Sequence, residues 1–400
     1  MKILIFSEYY YPERFLIHEI AEKLVEAGHQ VCVVTGKPNY GFPDGKVPAA
    51  YRDVDHETIH GVEVYRCNVF GRRKDVLSLI LNYLSYVKNG WAVAKKLGAD
   101  FDVVLCYQLT PVLQLIPAVK YSRKHHKKLV CYCLDLAPLS GEKRAKKIPV
   151  FFALYKGLAR KLYRSCDYIG VTSKPFIEYL TRVHDISPEK VQYIPQHGPS
   201  VLLKSDLRKQ YTGEIKILFA GNMGNGPRLE TIIHAVDILR DRGVNGFGVV
   251  FVGEGSAKER LKQLVDSKDL GAYVTFLPSV PMDQMAPVYA DADALIVTLR
   301  KGQITIPGKL QAYMYTGKPI IGAMDGAGRE LIEEADCGIC AEAENSADLA
   351  DAMEQYILHH DEYVQKGENG RRFFADHFTL EIFNTALEAL LVRAYTGETE

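Results

Sequence analysis

No stretch of this chain reaches the roughly 18–20 consecutive apolar residues that a membrane-spanning helix needs. The nearest run, Val76 to Leu97, is broken by Asn82, Lys88, Asn89, Lys95 and Lys96, and reads as a helix with polar faces. The opening Met1–Phe6 is too short for a signal peptide and reads as a buried first strand. Disulfide and metal signatures are equally thin. Eight cysteines are scattered, several in apolar, strand-like runs where a free thiol behaves as a small hydrophobe. The one CxxC, Cys337 to Cys340, has neither a second pair nor a nearby histidine, which favours a buried turn over a zinc or redox site. Reduced thiols without an export signal predict a cytoplasmic protein. No DxD-like acidic pair stands at a strand end to hold a metal. Asp291 and Asp293 lie instead at a helix–strand junction. No nucleic-acid module is recognisable either.

Net charge is also missing, with 49 basic and 49 acidic side chains. The balance hides a split. Residues 1–200 hold 29 Lys and Arg against 19 Asp and Glu, leaving the second half acidic by the same margin. Thirteen of the basic residues lie between Lys120 and Arg164. Within that stretch, residues 142–164 set cations beside Val150, Phe152, Leu154 and Tyr155, a composition that suits an interfacial helix on anionic lipid as well as a solvated basic face.

What the chain has in quantity is alternation of strand and helix. Four hundred residues suit two domains. Apolar strands are expected at 2–6, 30–35, 62–66, 102–107, 129–134, 168–172 and 191–194, with helices between most of them. Pro195–Pro199 is a turn-rich break, after which the pattern restarts at Ile215–Ala220. Such alternation predicts an α/β fold of two doubly wound, Rossmann-like domains, 1–198 and 199–379, facing each other across a cleft. A final helix, 380–400, is expected to return to the first domain.

Two segments of the second half carry phosphate chemistry. Strand Ile215–Ala220 runs into Gly221-Asn222-Met223-Gly224-Asn225-Gly226-Pro227 and then a helix, with Pro227 expected in its first turn. Glycines let backbone N–H groups approach an anion closely, although a plain turn has the same composition. Pro307 marks another helix start and places Lys309 in the first turn, where a cation opposes the helix dipole unless an anion sits there too.

These segments together resemble the family four glycosyltransferases of the GT-B fold. The resemblance rests on Gly221–Gly224, Val252-Gly253-Glu254-Gly255, and Pro307-Gly308-Lys309 through Ile321. In the first half it rests on Tyr9–Glu13 and Ala27-Gly28-His29. Asp135-Leu136-Ala137-Pro138 is similar to a segment of the branch that transfers amino- or deoxysugars in bacterial surface polysaccharide synthesis. The resemblance implies a retaining transferase using a UDP- or GDP-sugar, a glycan or polyprenol-linked acceptor, and no metal or other cofactor. Gly221, Asn222, Gly224 and Pro307 would line the diphosphate, with Lys309 and Arg228 as its cations; Gly253 and Glu254 would lie near the nucleobase. Gln303 and Gln311 stand where the family usually has two donor-binding glutamates, one near the donor sugar and one on the ribose hydroxyls, and Arg14-Phe15 where it often has glycines. Asp135 would orient the acceptor or cap a turn. A nucleotide-sugar 2-epimerase and an inactive partner subunit remain alternatives.

Overall fold

The computed structural model describes residues 1–73, 75–136, 149–199 and 214–397. The chain divides into two compact units, Met1–Gln196 with Leu380–Glu400, and His197–Thr379.

The first unit is built on β1 (Lys2–Phe6), α1 (Ile17–Glu26), β2 (Gln30–Gly36), β3 (His56–Ile59), β4 (Val62–Cys67), α2 (Val76–Ala94), β5 (Val103–Gln108), α3 (Leu115–His125), β6 (Lys128–Cys133), α4 (Pro149–Tyr163), β7 (Tyr168–Val171), α5 (Lys174–His184) and β8 (Val191–Tyr193). Its strands run in the order β3-β4-β2-β1-β5-β6-β7-β8. All neighbours are parallel except β3, which lies antiparallel on β4. Ile3, Ile5, Val31, Val33, Val103 and Leu105 fill the centre, as continuous apolar strands must when both faces are covered.

The second unit contains β9 (Ile215–Ala220), α6 (Glu230–Asp241), β10 (Phe247–Val252), α7 (Lys258–Ser267), β11 (Val274–Leu277), α8 (Ala286–Ala290), β12 (Ala294–Thr298), α9 (Lys309–Tyr315), β13 (Ile320–Ala323), α10 (Ala327–Glu334), β14 (Gly338–Ala341), α11 (Ser346–Leu358) and α12 (Val364–His377). Its parallel sheet is ordered β11-β10-β9-β12-β13-β14. The last helix, α13 (Leu380–Thr396), packs Phe383, Leu387, Leu390 and Leu391 into the core of the first unit.

In each sheet the order reverses beside the first strand, between β1 and β5 and between β9 and β12. Ligands of open α/β sheets bind outside the carboxyl ends of the strands at such a reversal.

Two expectations need correction. Pro227 does not open a helix, because Arg228 has a left-handed φ of 54° and α6 begins at Glu230. The Cys337–Cys340 pair is not a turn: Cys337 immediately precedes β14 and Cys340 lies within it, and burial pushes both free thiols up to about 12. The Val76–Leu97 run forms helix α2 as expected, with Asn82 fully buried on its inner face.

Candidate functional site

At the reversal of the second sheet, the loop after β9 is laced to the loop after β10. The Gly221 N–H donates to the Val252 carbonyl at 2.9 Å, and the Met223 N–H to the Glu254 carbonyl at 2.9 Å. Gly253 has φ of 145°, and a Cβ there would lie 2.0 Å from the Gly221 oxygen. Only glycine permits that backbone contact. Lys258 secures the second loop from below. Its ammonium donates to the carbonyls of Gly253 (3.0 Å) and Leu277 (3.2 Å) and pairs with Glu254 at 2.7 Å. That pairing holds the exposed Glu254 carboxyl below its usual range.

Helix α9 then brings two side chains one turn apart to the end of β9. The Tyr313 hydroxyl accepts from the Ala220 N–H at 2.9 Å and donates to the Ala220 carbonyl at 3.2 Å. Lys309 lies over the Phe219 ring, with Nζ 3.7 Å from its centroid. A Cβ on Gly221 would be 3.1 Å from that Nζ. Among the described residues no carboxylate pairs with this ammonium, and burial lowers it from the ordinary lysine range to about 7. A half-buried cation without a carboxylate, beside an exposed glycine turn, is an arrangement that an anion would complete.

Other residues expected here have different company. Arg228 is tied to Glu344 (3.2 Å) and Glu230 (3.4 Å), so its charge is already met by two carboxylates. Asn222 and Gly224 adjoin each other on the open side of the loop. Pro307 and Gln303 pack near Gly328 and Gly326 in the segment between β12 and α9. Gln311 is buried on α9, and its Oε1 has no hydrogen-bond partner. Asp291 and Asp293 bind Lys216, through its ammonium and its N–H respectively, which pins the start of β9. Among the described residues no three His, Cys, Asp or Glu side chains are grouped to hold a metal ion.

The first sheet has its own polar cluster at its reversal. Glu8, just after β1, is fully buried; its Oε2 accepts from Gln114 at 2.5 Å and its Oε1 has no partner. Burial pushes this carboxyl up to about 8. Asp135, after β6, accepts a hydrogen bond from the Thr110 hydroxyl, and its carbonyl accepts from Gln108 at 3.0 Å. Its neighbours Ala137 and Pro138 lie outside the described residues. Glu13 accepts N–H bonds from Tyr40 (2.6 Å) and Asn39 (2.8 Å), although burial still raises it to about 7. Phe15 stacks on Tyr9 at 4.9 Å, so an aromatic pair occupies the place where the family often has glycines. The Arg72 guanidinium lies over Tyr9, Tyr40 and Tyr83 and donates to two of their hydroxyls. A cavity of about 480 Å³ lined by Lys2, His29 and Gln30 lies at the opposite, amino-terminal ends of these strands, away from both clusters.

Sequence reasoning missed Lys258, Tyr313, Glu8 and Arg72. Tyr313 was readable in principle, four residues after Lys309 on the same helix face. Lys258 stands four residues after Glu254, whereas Glu8 and Arg72 act through contacts distant in sequence.

Comparison with known proteins bears on the family and the fold. Residues 15–197 match the profile of the glycosyl transferase 4-like domain, and residues 214–359 that of the glycosyl transferases group 1. The chain is 22% identical over 391 residues to WcaI of Escherichia coli (strain K12), named for a proposed role as a colanic acid biosynthesis glycosyl transferase, covering 90% of this chain and 92% of that one. Sucrose-phosphate synthase from Thermosynechococcus elongatus superposes with a TM-score of 0.79 at 16% identity, over 99% of this chain and 100% of that one. Anabaena HepE, solved with UDP and glucose, gives 0.69 at 17% identity, over 98% and 99%. WaaG, a glycosyltransferase involved in lipopolysaccharide biosynthesis, gives 0.68 at 15%, over 97% and 99%. The fold is GT-B, and the chain belongs to the group 1, family four glycosyltransferases.

Proposed function

We propose that this protein is a retaining transferase that moves a sugar from a UDP- or GDP-sugar to a glycan or polyprenol-linked acceptor in cell-surface polysaccharide synthesis. The observation that carries the reading is the Lys309 ammonium, half-buried, without a carboxylate and beside Gly221. As the bond from the anomeric carbon to the diphosphate oxygen breaks, that oxygen keeps the electron pair, and a fixed cation stabilises the charge it gains. The anomeric carbon forms its new bond to an acceptor oxygen, whose proton passes to the departing diphosphate oxygen. Gly221, Asn222 and Gly224 line the diphosphate; Gly253 and Glu254 border the nucleobase. Arg228 is a secondary cation, reaching the donor only by exchanging a carboxylate. Asp135, held by Thr110, orients the acceptor. The reaction uses no metal.

HepE, with its bound UDP, supports the donor class, and the names of WcaI and WaaG support a surface-polysaccharide role. A cytoplasmic, membrane-peripheral placement follows from a lipid-borne acceptor. The basic stretch 142–164 contributes through α4, whose Val150 and Leu154 are exposed beside Lys156 and Lys161; residues 142–148 lie outside the described residues.

A second reading, an inactive donor-binding partner, is favoured by Gln303 and Gln311 in the places of two glutamates. Incubation with a panel of UDP- and GDP-sugars decides between them. Slow donor hydrolysis with release of nucleoside diphosphate marks the transferase. Donor binding without turnover marks the inactive partner, and isomer exchange a 2-epimerase. Binding of no nucleotide sugar at all sinks all three.

A further inference from the structure

Helix α2 is turned inside out. Its buried positions are Ser78, Asn82, Tyr86, Gly90 and Ala94, mostly polar or small. Its outward face carries Val76, Leu77, Ile80, Leu81 and Leu84, exposed by 72, 67, 48, 37 and 50%. An ordinary surface helix shows the reverse pattern. Hydrogen bonds fix this rotation. The Asn82 amide donates to Asn39 Oδ1 (3.1 Å) and the Phe70 carbonyl (2.5 Å) and accepts from the Tyr9 hydroxyl (3.2 Å). Tyr86 donates to the Val34 carbonyl at 3.3 Å. Turning the apolar face inward would leave these buried polar groups unpaired.

The flanks of that face are cationic. Asp75 caps the start of the helix, and beyond it no acidic residue occurs before Asp100. Just before the helix, a recess of about 310 Å³ is lined by Lys46, Arg52, Arg73 and the exposed Phe70, with Asp44 the acid among its lining residues. At the far end, Lys95, Lys120 and Lys124 gather around Trp91 at 5.8, 5.9 and 6.0 Å. Among the described residues no helix is long and apolar enough to cross a membrane, so an apolar face of this kind would lie on one.

We propose that α2 docks the first unit flat on an anionic lipid leaflet. Phe70 and the Val76–Leu84 face enter the headgroup–acyl boundary, while Arg73, Arg52 and Lys46 meet headgroup phosphates. The charge pattern selects this occupant. A stripe of five side chains and one flanking ring also falls short of the about 20–30 residues per side in a stable protein pair. The inference extends the reading of a membrane-borne acceptor, but it stands on a different helix from the basic 142–164 stretch.

The test is co-sedimentation at low salt with vesicles of phosphatidylglycerol and phosphatidylcholine, and with phosphatidylcholine alone. Three proteins are compared: wild type, Ile80→Gln/Leu84→Gln, and Lys156→Glu/Lys161→Glu. The proposal expects wild type to bind the anionic vesicles and the α2 variant to lose at least about tenfold in partitioning, with an unchanged melting temperature. An environment-sensitive dye on Leu77→Cys should shift to the blue on the same vesicles, a readout independent of the double variant. If the α2 variant binds like wild type and the α4 variant does not, this proposal fails and the membrane reading stands. If wild type ignores anionic vesicles, both fail. If light scattering shows a wild-type dimer that the α2 variant abolishes, the stripe is a self-association surface and the proposal is overturned.

Discussion

Raising the pH should weaken nucleoside diphosphate binding, because the cation expected to meet the phosphates is half lost near neutrality. With Lys309 held at about 7 in the free protein, about half of the molecules carry the charge at pH 7 and about one in a hundred at pH 9. A bound diphosphate restores the lysine toward its ordinary value, so binding at pH 8 should take up nearly one proton. Affinity for UDP or GDP should then fall about fiftyfold from pH 7 to 9, or about 2 kcal/mol. The ligand itself contributes little there, since the last phosphate ionisation lies near about 6. Calorimetry at pH 8 in two buffers of different ionisation heat reads the proton count directly. A pH-independent affinity with no proton uptake would refute the reasoning.

The same lysine should cost stability when empty. Its folded value lies below its unfolded one, so the free protein should gain stability as pH rises from about 7 towards 10 and stay flat below 7. Lys309→Met should stabilise the free protein at pH 7 by on the order of 2 kcal/mol, allowing for partial exposure, while weakening diphosphate binding at least tenfold. Denaturant melts and titration calorimetry check both halves. Gly253→Ala puts a methyl 2.0 Å from the Gly221 oxygen at a positive φ, and should cost about 3 kcal/mol or more in a melt and abolish nucleotide binding. Gln311→Glu supplies a carboxylate where Oε1 now has no partner; UDP affinity should rise several-fold while the free protein loses stability, and unchanged affinity would exclude a ribose contact. Glu8 runs the opposite way from Lys309. Its carboxyl is raised to about 8, so stability should fall as pH climbs from about 4.5 to 8, and Glu8→Gln should flatten that slope in urea melts.

Much of the α/β architecture was legible because a two-sided parallel sheet writes itself as apolar strands between amphipathic helices. Ile215–Ala220 was read with the bounds the structure has, and most other strands fell within a residue or two. The antiparallel edge strand β3, His56–Ile59, escaped because one face is open and its sequence is mixed. Gly28, with φ of 87°, follows the end of α1. The adjoining His29 proves to clip the C-terminal helix through Glu388 at 2.8 Å, a contact no local pattern announces. At the candidate site, glycines and Lys309 could be named from sequence, but not the lacing of the loops at 221–224 and 253–255, nor the Lys258 clasp. The Val76–Leu97 run was read correctly as a helix, but composition shows only that polar residues are present, not which way they turn.

The central claim is that the Gly221–Gly224 turn and the Lys309 ammonium together hold a diphosphate. A crystal structure of the protein with UDP or GDP tests it most directly. The account predicts phosphate oxygens within hydrogen-bond reach of Lys309 Nζ and of loop N–H groups; a nucleotide bound elsewhere, or a lysine still resting on Phe219 with no anion beside it, would contradict it.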